Sequence, residues 1–301
     1  MEFSCEHRDP ATRAFMRRSS IAVRDPISRA TMPLFNVQAG RLWATGVLLR
    51  ILDRHFILTA AHVFDGWSTP SVPIHITDGV KGNELFPVGD VMLRRSPTSH
   101  PDNRLVDDPY DACVCEISLG AAERIVAGGR MRFLELDELD PWGQEDLRSW
   151  YTVFGFPGEL NKTEPVPGVL GSNACAYASF IYGGERGNIP LTDKDHGVAI
   201  LLDYGPTTTR DDADQAILPP PPYGMSGGGI WRVAASGKET DAWTSKDLKL
   251  VGIQSSVYDT MHVLRGTRIQ HALGFIYRGH EALRTEFERQ FGKEPCRAHF
   301  A

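Results

Sequence analysis

The chain reads as an all-β protein, two strand-rich lobes followed by a C-terminal helix, on three observations. Short apolar runs rich in β-branched residues recur along it, bounded by Gly, Pro, Asp or Asn. Nowhere do strand and helix patterns alternate as a parallel sheet requires. Near the end, Leu283, Phe287 and Phe291 recur every four residues, the repeat of an amphipathic helix.

Residues 1–36 read as an N-terminal extension, in which Asp9 is placed to cap a short helix beginning at Pro10 and SIAVRDPISR passes through turn chemistry. The first lobe spans 37–136. In it ATGVLLRIL and HFILTAAHV, separated by Asp53-Arg54, predict a β-hairpin. VPIHIT (72–77), LFPVGDVML (85–93), ACVCEISL (112–119) and MRFLEL (131–136) are its further strand candidates. The acidic segment 137–149 lacks apolar periodicity and reads as a linker. A second lobe over 150–277 carries WYTVFGF, NACAYASF, GVAILLDY, GGIWRV and LKLVGIQSSV as strand candidates, and a helix over 278–292 follows. LPPPPY (218–223) is stiff and poor in backbone donors, a rigid approach to the residues after it. No repeat of solenoid period is present.

At 301 residues the chain has room for two lobes sharing a cleft, and 42% hydrophobic with 23% charged residues is an ordinary globular composition. A formal net charge of −6 argues against nucleic acid or an anionic membrane as the main partner. No stretch reaches the roughly 18 apolar residues of a membrane span. The N-terminal twenty residues lack the apolar run of a secretory signal. Cys5, Cys113, Cys115, Cys175 and Cys296 are an odd set without framework spacing, so reduced thiols and a cytoplasmic location are expected; a secreted form whose signal has been removed stays open.

Three segments carry chemistry. A serine hydroxyl attacks an acyl group only if an imidazole takes its proton, a carboxylate holds that imidazole in one tautomer, and N–H donors meet the developing oxyanion. Ser226, in YGMSGGGIW, has glycines on both sides that permit unusual backbone and close approach of a substrate. His62, in ILTAAHVFDG, follows an apolar strand and two small residues. Asp111, in PYDACVCEI, opens an apolar strand where an acid is tolerated only with a partner; Asp107 and Asp108 compete with it. Each alone has an ordinary structural reading, as a turn, a core histidine or a surface acid.

Together, ATGVLL, TAAH, an Asp opening an apolar strand, and G-M-S-G-G resemble the trypsin-like serine peptidases, in that family's order of His, Asp and Ser. FGFPG (154–158) is similar to a turn of its bacterial members, and LVGIQSSV (250–257) falls where the family pairs a strand with its substrate. The resemblance spans about residues 40–275 together with the terminal helix, and implies two orthogonal antiparallel β-barrels with the site between them. It implies His62 as base and then acid, Asp111 as its orienting group, and Ser226 as nucleophile. The N–H groups of Gly224 and Ser226 would form the oxyanion hole, and Ser255 would be bonded near Asp111. Ser255, Ser256 and Val257 would hold the substrate backbone, with Pro220 at the base of the specificity pocket. No cofactor or metal is implied; the partner is a protein or peptide substrate, with a regulatory partner as a further expectation.

Departures from the family are instructive. Met225 stands where secreted zymogens have an Asp that receives a newly cut N-terminus, and no Ile-Val-Gly-Gly start follows a basic site. Val63 replaces a frequent cysteine. Pro220 in place of an acid, with Val257 in place of a glycine, points to cleavage after small or medium apolar residues.

Three other readings compete. G-M-S-G-G also fits the nucleophile elbow of α/β-hydrolases, but a polyproline tract precedes it, a strand follows, and too little chain remains for that domain. A catalytically idle binding module on the same fold is the main alternative. A zinc site at Cys113-x-Cys115 lacks a second ligand pair at zinc spacing.

Overall fold

The computed structural model describes residues 10–36, 41–65, 74–77, 84–89, 91–96, 110–143, 149–161, 173–184, 189, 197–204, 220–234 and 244–300. Two antiparallel sheets dominate it. The first comprises β1 (Thr31–Asn36), β2 (Arg41–Ile51), β3 (Arg54–Thr59), β4 (His75–Thr77), β5 (Leu85–Pro87), β6 (Met92–Arg95) and β7 (Cys113–Ile117), in the order β5-β4-β1-β2-β3-β7-β6. The second comprises β8 (Trp150–Gly155), β9 (Cys175–Phe180), β10 (Ala199–Asp203), β11 (Gly229–Ala234), β12 (Lys249–Tyr258) and β13 (Val263–Arg268), in the order β10-β13-β12-β11-β8-β9. A bridge between Ile181 and Leu202 joins its two outer strands and closes it into a barrel.

The β2–β3 hairpin turns through Leu52 and Asp53, with Leu52 at φ 54°, the left-handed backbone that such tight turns require. LFPVGDVML divides into β5 and β6. MRFLEL forms no strand. Leu134 bonds the backbone of β2, beyond the place where β1 ends, donating to Leu48 O and accepting from Arg50 N–H; Glu135 accepts from the Arg50 guanidinium, and a 3-10 turn at Leu136–Glu138 follows.

Helices account for the main differences from the sequence reading. Helix α1 (Pro10–Arg29) runs through SIAVRDPISR and past Pro26, because Val23 and Ile27 are buried in a core shared by both lobes. Residues 31–36, read from sequence as the end of an extension, are strand β1 of the first sheet. Asp9 lies outside the described residues. Helix α2 (Leu119–Val126) follows β7 because Ser118 Oγ accepts the Ala121 N–H, an N-cap that the sequence reading absorbed into the strand.

The single C-terminal helix expected over 278–292 is three. These are α3 (Ile269–Gly279), α4 (Arg284–Phe291) and α5 (Lys293–Phe300), broken at extended His280 and at Gly292, whose φ is 89°. Ile269, Ala272, Leu273 and Ile276 put the apolar face of α3 into the shared core, where Leu283, Phe287 and Phe300 join it.

Among the described residues, no helix is long and apolar enough to cross a membrane, and no three His, Cys, Asp or Glu side chains converge as metal ligands. Cys113, Cys115, Cys175 and Cys296 are free thiols.

Candidate active site

His62 sits in a single 3-10 turn, Ala61–Phe64, directly after β3. Ala60 and Ala61 are fully buried, so the chain passes close beneath the ring without side chains in the way. Asp111 clasps this histidine twice. Its Oδ1 accepts the backbone N–H of His62 at 2.9 Å, and its Oδ2 lies 2.8 Å from Nδ1. An ionised carboxylate only accepts hydrogen bonds, so the imidazole proton belongs on Nδ1 and Nε2 is the basic nitrogen. Asp111 is nearly buried, and its φ of 40° is in the left-handed region that few non-glycine residues adopt. The competitors Asp107 and Asp108 lie outside the described residues; the residue that meets His62 is Asp111.

The segment before Asp111 is anchored from the other lobe. Thr267 Oγ1 of β13 donates to Tyr110 O, and the Tyr110 ring lies against His271 of α3 at 4.7 Å between centroids. Burial, which outweighs a hydrogen bond with the Gly197 backbone, holds His271 at about 4, and Arg268, Arg278 and Arg265 push the same way. At neutral pH its ring is uncharged.

Ser226 is half-buried in the turn between the proline tract and β11. Gly224 and Gly227 flank it at φ 92° and 89°, positions that a side chain would strain. A methyl on Gly224 would press on Gly158 N and Phe156 O of the FGFPG segment, and one on Gly227 would collide with Thr59 Oγ1 and the Thr45 carbonyl.

Thr45 of β2, which sequence reasoning did not single out, ties this turn to the first lobe. Its N–H donates to Ser226 O at 2.9 Å, its Oγ1 donates to Gly224 O at 3.0 Å, and the same Oγ1 accepts the Phe156 N–H at 3.0 Å. Thr59, three residues before His62, donates to Thr45 O. The nucleophile turn and the histidine turn are thus built on one pair of hydrogen-bonded strands. The signal was a threonine amid the apolar residues of ATGVLL, where a polar side chain needs a partner.

The N–H groups in the turn divide into two sets. Those of Met225, Gly227 and Gly228 donate to Pro222 O, Gln254 O and Met225 O at 2.9, 2.8 and 2.7 Å. Those of Gly224 and Ser226 have no acceptor among the described residues.

Ser255 departs from expectation. Its hydroxyl does not reach Asp111; it accepts from Arg265 Nη1 at 2.8 Å and donates to Arg265 O. Arg265 is completely buried, and a guanidinium without water needs such acceptors. Pro220 accepts from Tyr204 OH, which fixes the start of the approach to Ser226. Ser256 and Val257 lie on β12 beyond Ile253, its last partner on β11. They pair only with Arg265 and Leu264 of β13, so their other backbone edge has no strand neighbour among the described residues.

No protein-family profile and no curated protein matches the chain. Solved structures do. Kallikrein-related peptidase 10 in complex with Zn2+ is similar at a TM-score of 0.47 and 20% identity, over 85% of this chain and 96% of that one. Neuropsin, a serine protease of mouse brain, is similar at a TM-score of 0.47 and 15% identity, over 83% and 94%. The serine endoprotease of Yersinia pestis is similar at a TM-score of 0.43 and 14% identity, over 85% of this chain and 64% of that one. By the order of its own two antiparallel sheets, one of them closed into a barrel, this chain has the two-lobed chymotrypsin-like fold.

Proposed function

We propose that the chain is a serine endopeptidase that hydrolyses peptide bonds through an acyl-enzyme on Ser226. The observation that carries this reading is the double clasp of Asp111 on His62, at 2.9 Å to the backbone N–H and 2.8 Å to Nδ1. A carboxylate that fixes both the place and the tautomer of one imidazole is the arrangement a general base needs.

In the first step His62 Nε2 takes the Ser226 hydroxyl proton as Oγ bonds to the substrate carbonyl carbon. The carbonyl oxygen becomes an oxyanion, for which the N–H groups of Gly224 and Ser226 are the available donors. Asp111 stabilises the imidazolium that forms. Collapse breaks the C–N bond, and the imidazolium gives its proton to the departing amine. Water then repeats the sequence on the ester and restores Ser226. The substrate backbone would pair with the open edge at Ser255, Ser256 and Val257 as an added strand.

The experiment is a fluorophosphonate probe applied to the full chain. Labelling at Ser226, abolished in Ser226→Ala and reduced by orders of magnitude in His62→Ala, is the expected result. A folded wild-type chain that takes no label overturns the reading in favour of a binding module on the same fold.

A further inference from the structure

An open groove of about 910 Å³ runs past the end of the first sheet, where the β2–β3 turn, the start of β6, the exit of β7 and the start of α2 lie side by side. The catalytic candidates sit at the other end of the same strands. β3 runs from Arg54, in the groove wall, to Thr59 before the histidine turn, and Thr59 pairs with Cys113 just after Asp111. Five residue steps of about 3.3 Å set the groove roughly 17 Å from the candidate active site.

Leu52, Met92 and Leu119 line this groove with exposures of 56, 56 and 59%, half of the six large apolar side chains so exposed among the described residues. Val126, Met131 and Phe133 extend the same wall. Apolar side chains scattered singly over a surface mean little, whereas three gathered in one concave place mark a contact site. Leu52 adds a second argument. Its φ of 54° is backbone that Gly, Asn or Asp adopts with least strain. A leucine there costs folding energy and, being exposed, recovers little of it by burial. The charges in the wall are also unbalanced. Arg50, Arg54 and Arg132 are matched by Glu135, Glu116 and Glu138 at 2.9, 2.9 and 2.8 Å. Asp53 and Glu123 have no ion-pair partner among the described residues. His55 adds no cation at neutral pH, since burial lowers its pKa.

We propose that this groove is a docking surface for a partner protein, filled by a segment that presents apolar side chains together with Lys or Arg. The apolar side chains take Leu52, Met92 and Leu119 out of water, and the cations meet Asp53 and Glu123. An acidic segment would set its charge against two carboxylates that have no counter-charge of their own. The groove's distance from His62 leaves the cleft at Ser226 open while the partner is bound.

The test is fluorescence anisotropy on the full chain carrying Ser226→Ala, so that no probe is cut. The probes are a short fluorescein-labelled amphipathic peptide of leucine and lysine and its counterpart of leucine and glutamate. The lysine peptide should bind saturably, and the glutamate peptide at least about 10-fold more weakly. Leu52→Asn and Leu119→Ser should each weaken the lysine peptide by about 10-fold. Leu52→Asn should also unfold at the same or a higher temperature, which removes misfolding as the cause of its loss. Asp53→Asn with Glu123→Gln should weaken binding a few-fold at low salt and by less at high salt. Ile21→Ser and Leu160→Ser, exposed apolar positions outside the groove, should leave binding unchanged. No saturable binding, or one affinity across groove and control variants, overturns the inference. A wild-type dimer that Leu119→Ser dissociates overturns it as well, and gives the groove to a second copy of the chain.

Discussion

Asp111 holds a backbone conformation that costs energy, at φ 40°, and keeps it because both carboxylate oxygens are committed to His62. Asparagine tolerates left-handed backbone, so Asp111→Asn should fold. Its amide nitrogen would nonetheless donate toward Nδ1 and move the imidazole proton to Nε2, the nitrogen that must act as base. On the proposed mechanism kcat should fall on the order of 10³–10⁴-fold, with KM changed far less, in steady-state peptide hydrolysis. A loss of only a few fold would remove Asp111 from the mechanism. At this scale the sequence was legible where a residue's neighbours were peculiar: glycines around Ser226, small residues before His62, an acid at the mouth of an apolar strand. It was not legible at Ser255 or Arg265. A buried arginine at the centre of VLRGTR looks like any alternating strand residue, and only the folded sheet reveals that its guanidinium takes the Ser255 hydroxyl.

Strands were easier to read than helices, for a physical reason. An apolar run bounded by turn residues has few alternatives, whereas Pro26 and the Asp-Pro pair looked like a stop that tertiary burial of Val23 and Ile27 overrides. Helix α2 was hidden because its cap, Ser118, directly follows the apolar residues of β7. The element with most consequence for the site is β2, through Thr45. Thr45→Val keeps shape and strand propensity but deletes the hydroxyl that serves both Gly224 O and Phe156 N–H. The loss should cost about 1–3 kcal/mol of stability, seen as a lower urea midpoint at unchanged slope. It should also slow labelling of Ser226, because the turn loses one of its two bonds from Thr45. Slowed labelling without destabilisation, or the reverse, would separate the two roles assigned to this hydroxyl.

The whole molecule closes around a core to which both lobes, α1 and the three C-terminal helices contribute, and two titratable groups at its margins pull stability in opposite directions with pH. His271 is held at about 4 in the folded chain against an ordinary 6.5, chiefly by burial. As pH drops through that window the unfolded chain takes up a proton that the folded one refuses, so stability falls toward acid. Asp203, at the end of β10, is raised by burial to about 6 against an ordinary 3.8. Between those values the folded chain holds a proton that the unfolded chain has lost, so stability falls as pH rises. The full penalty is present above about 6. The His271 shift corresponds to about 3 kcal/mol at its extreme, and the Asp203 shift to less than its face value, because that side chain is partly open to screening solvent. Over pH 4–6 the two slopes oppose each other, and wild-type thermal midpoints should vary little there on their account. The variants separate them. Asp203→Asn should raise the midpoint at pH 7.5 relative to wild-type and lose that advantage by about pH 3.5, below both of its pKa values. His271→Gln should lessen the decline below pH 6 and change little at pH 7.5 beyond a constant offset. Midpoint-against-pH curves for the two variants that run parallel to wild-type throughout would show that neither group carries the linkage, and that the folded chain holds both side chains in more watery surroundings than their burial implies.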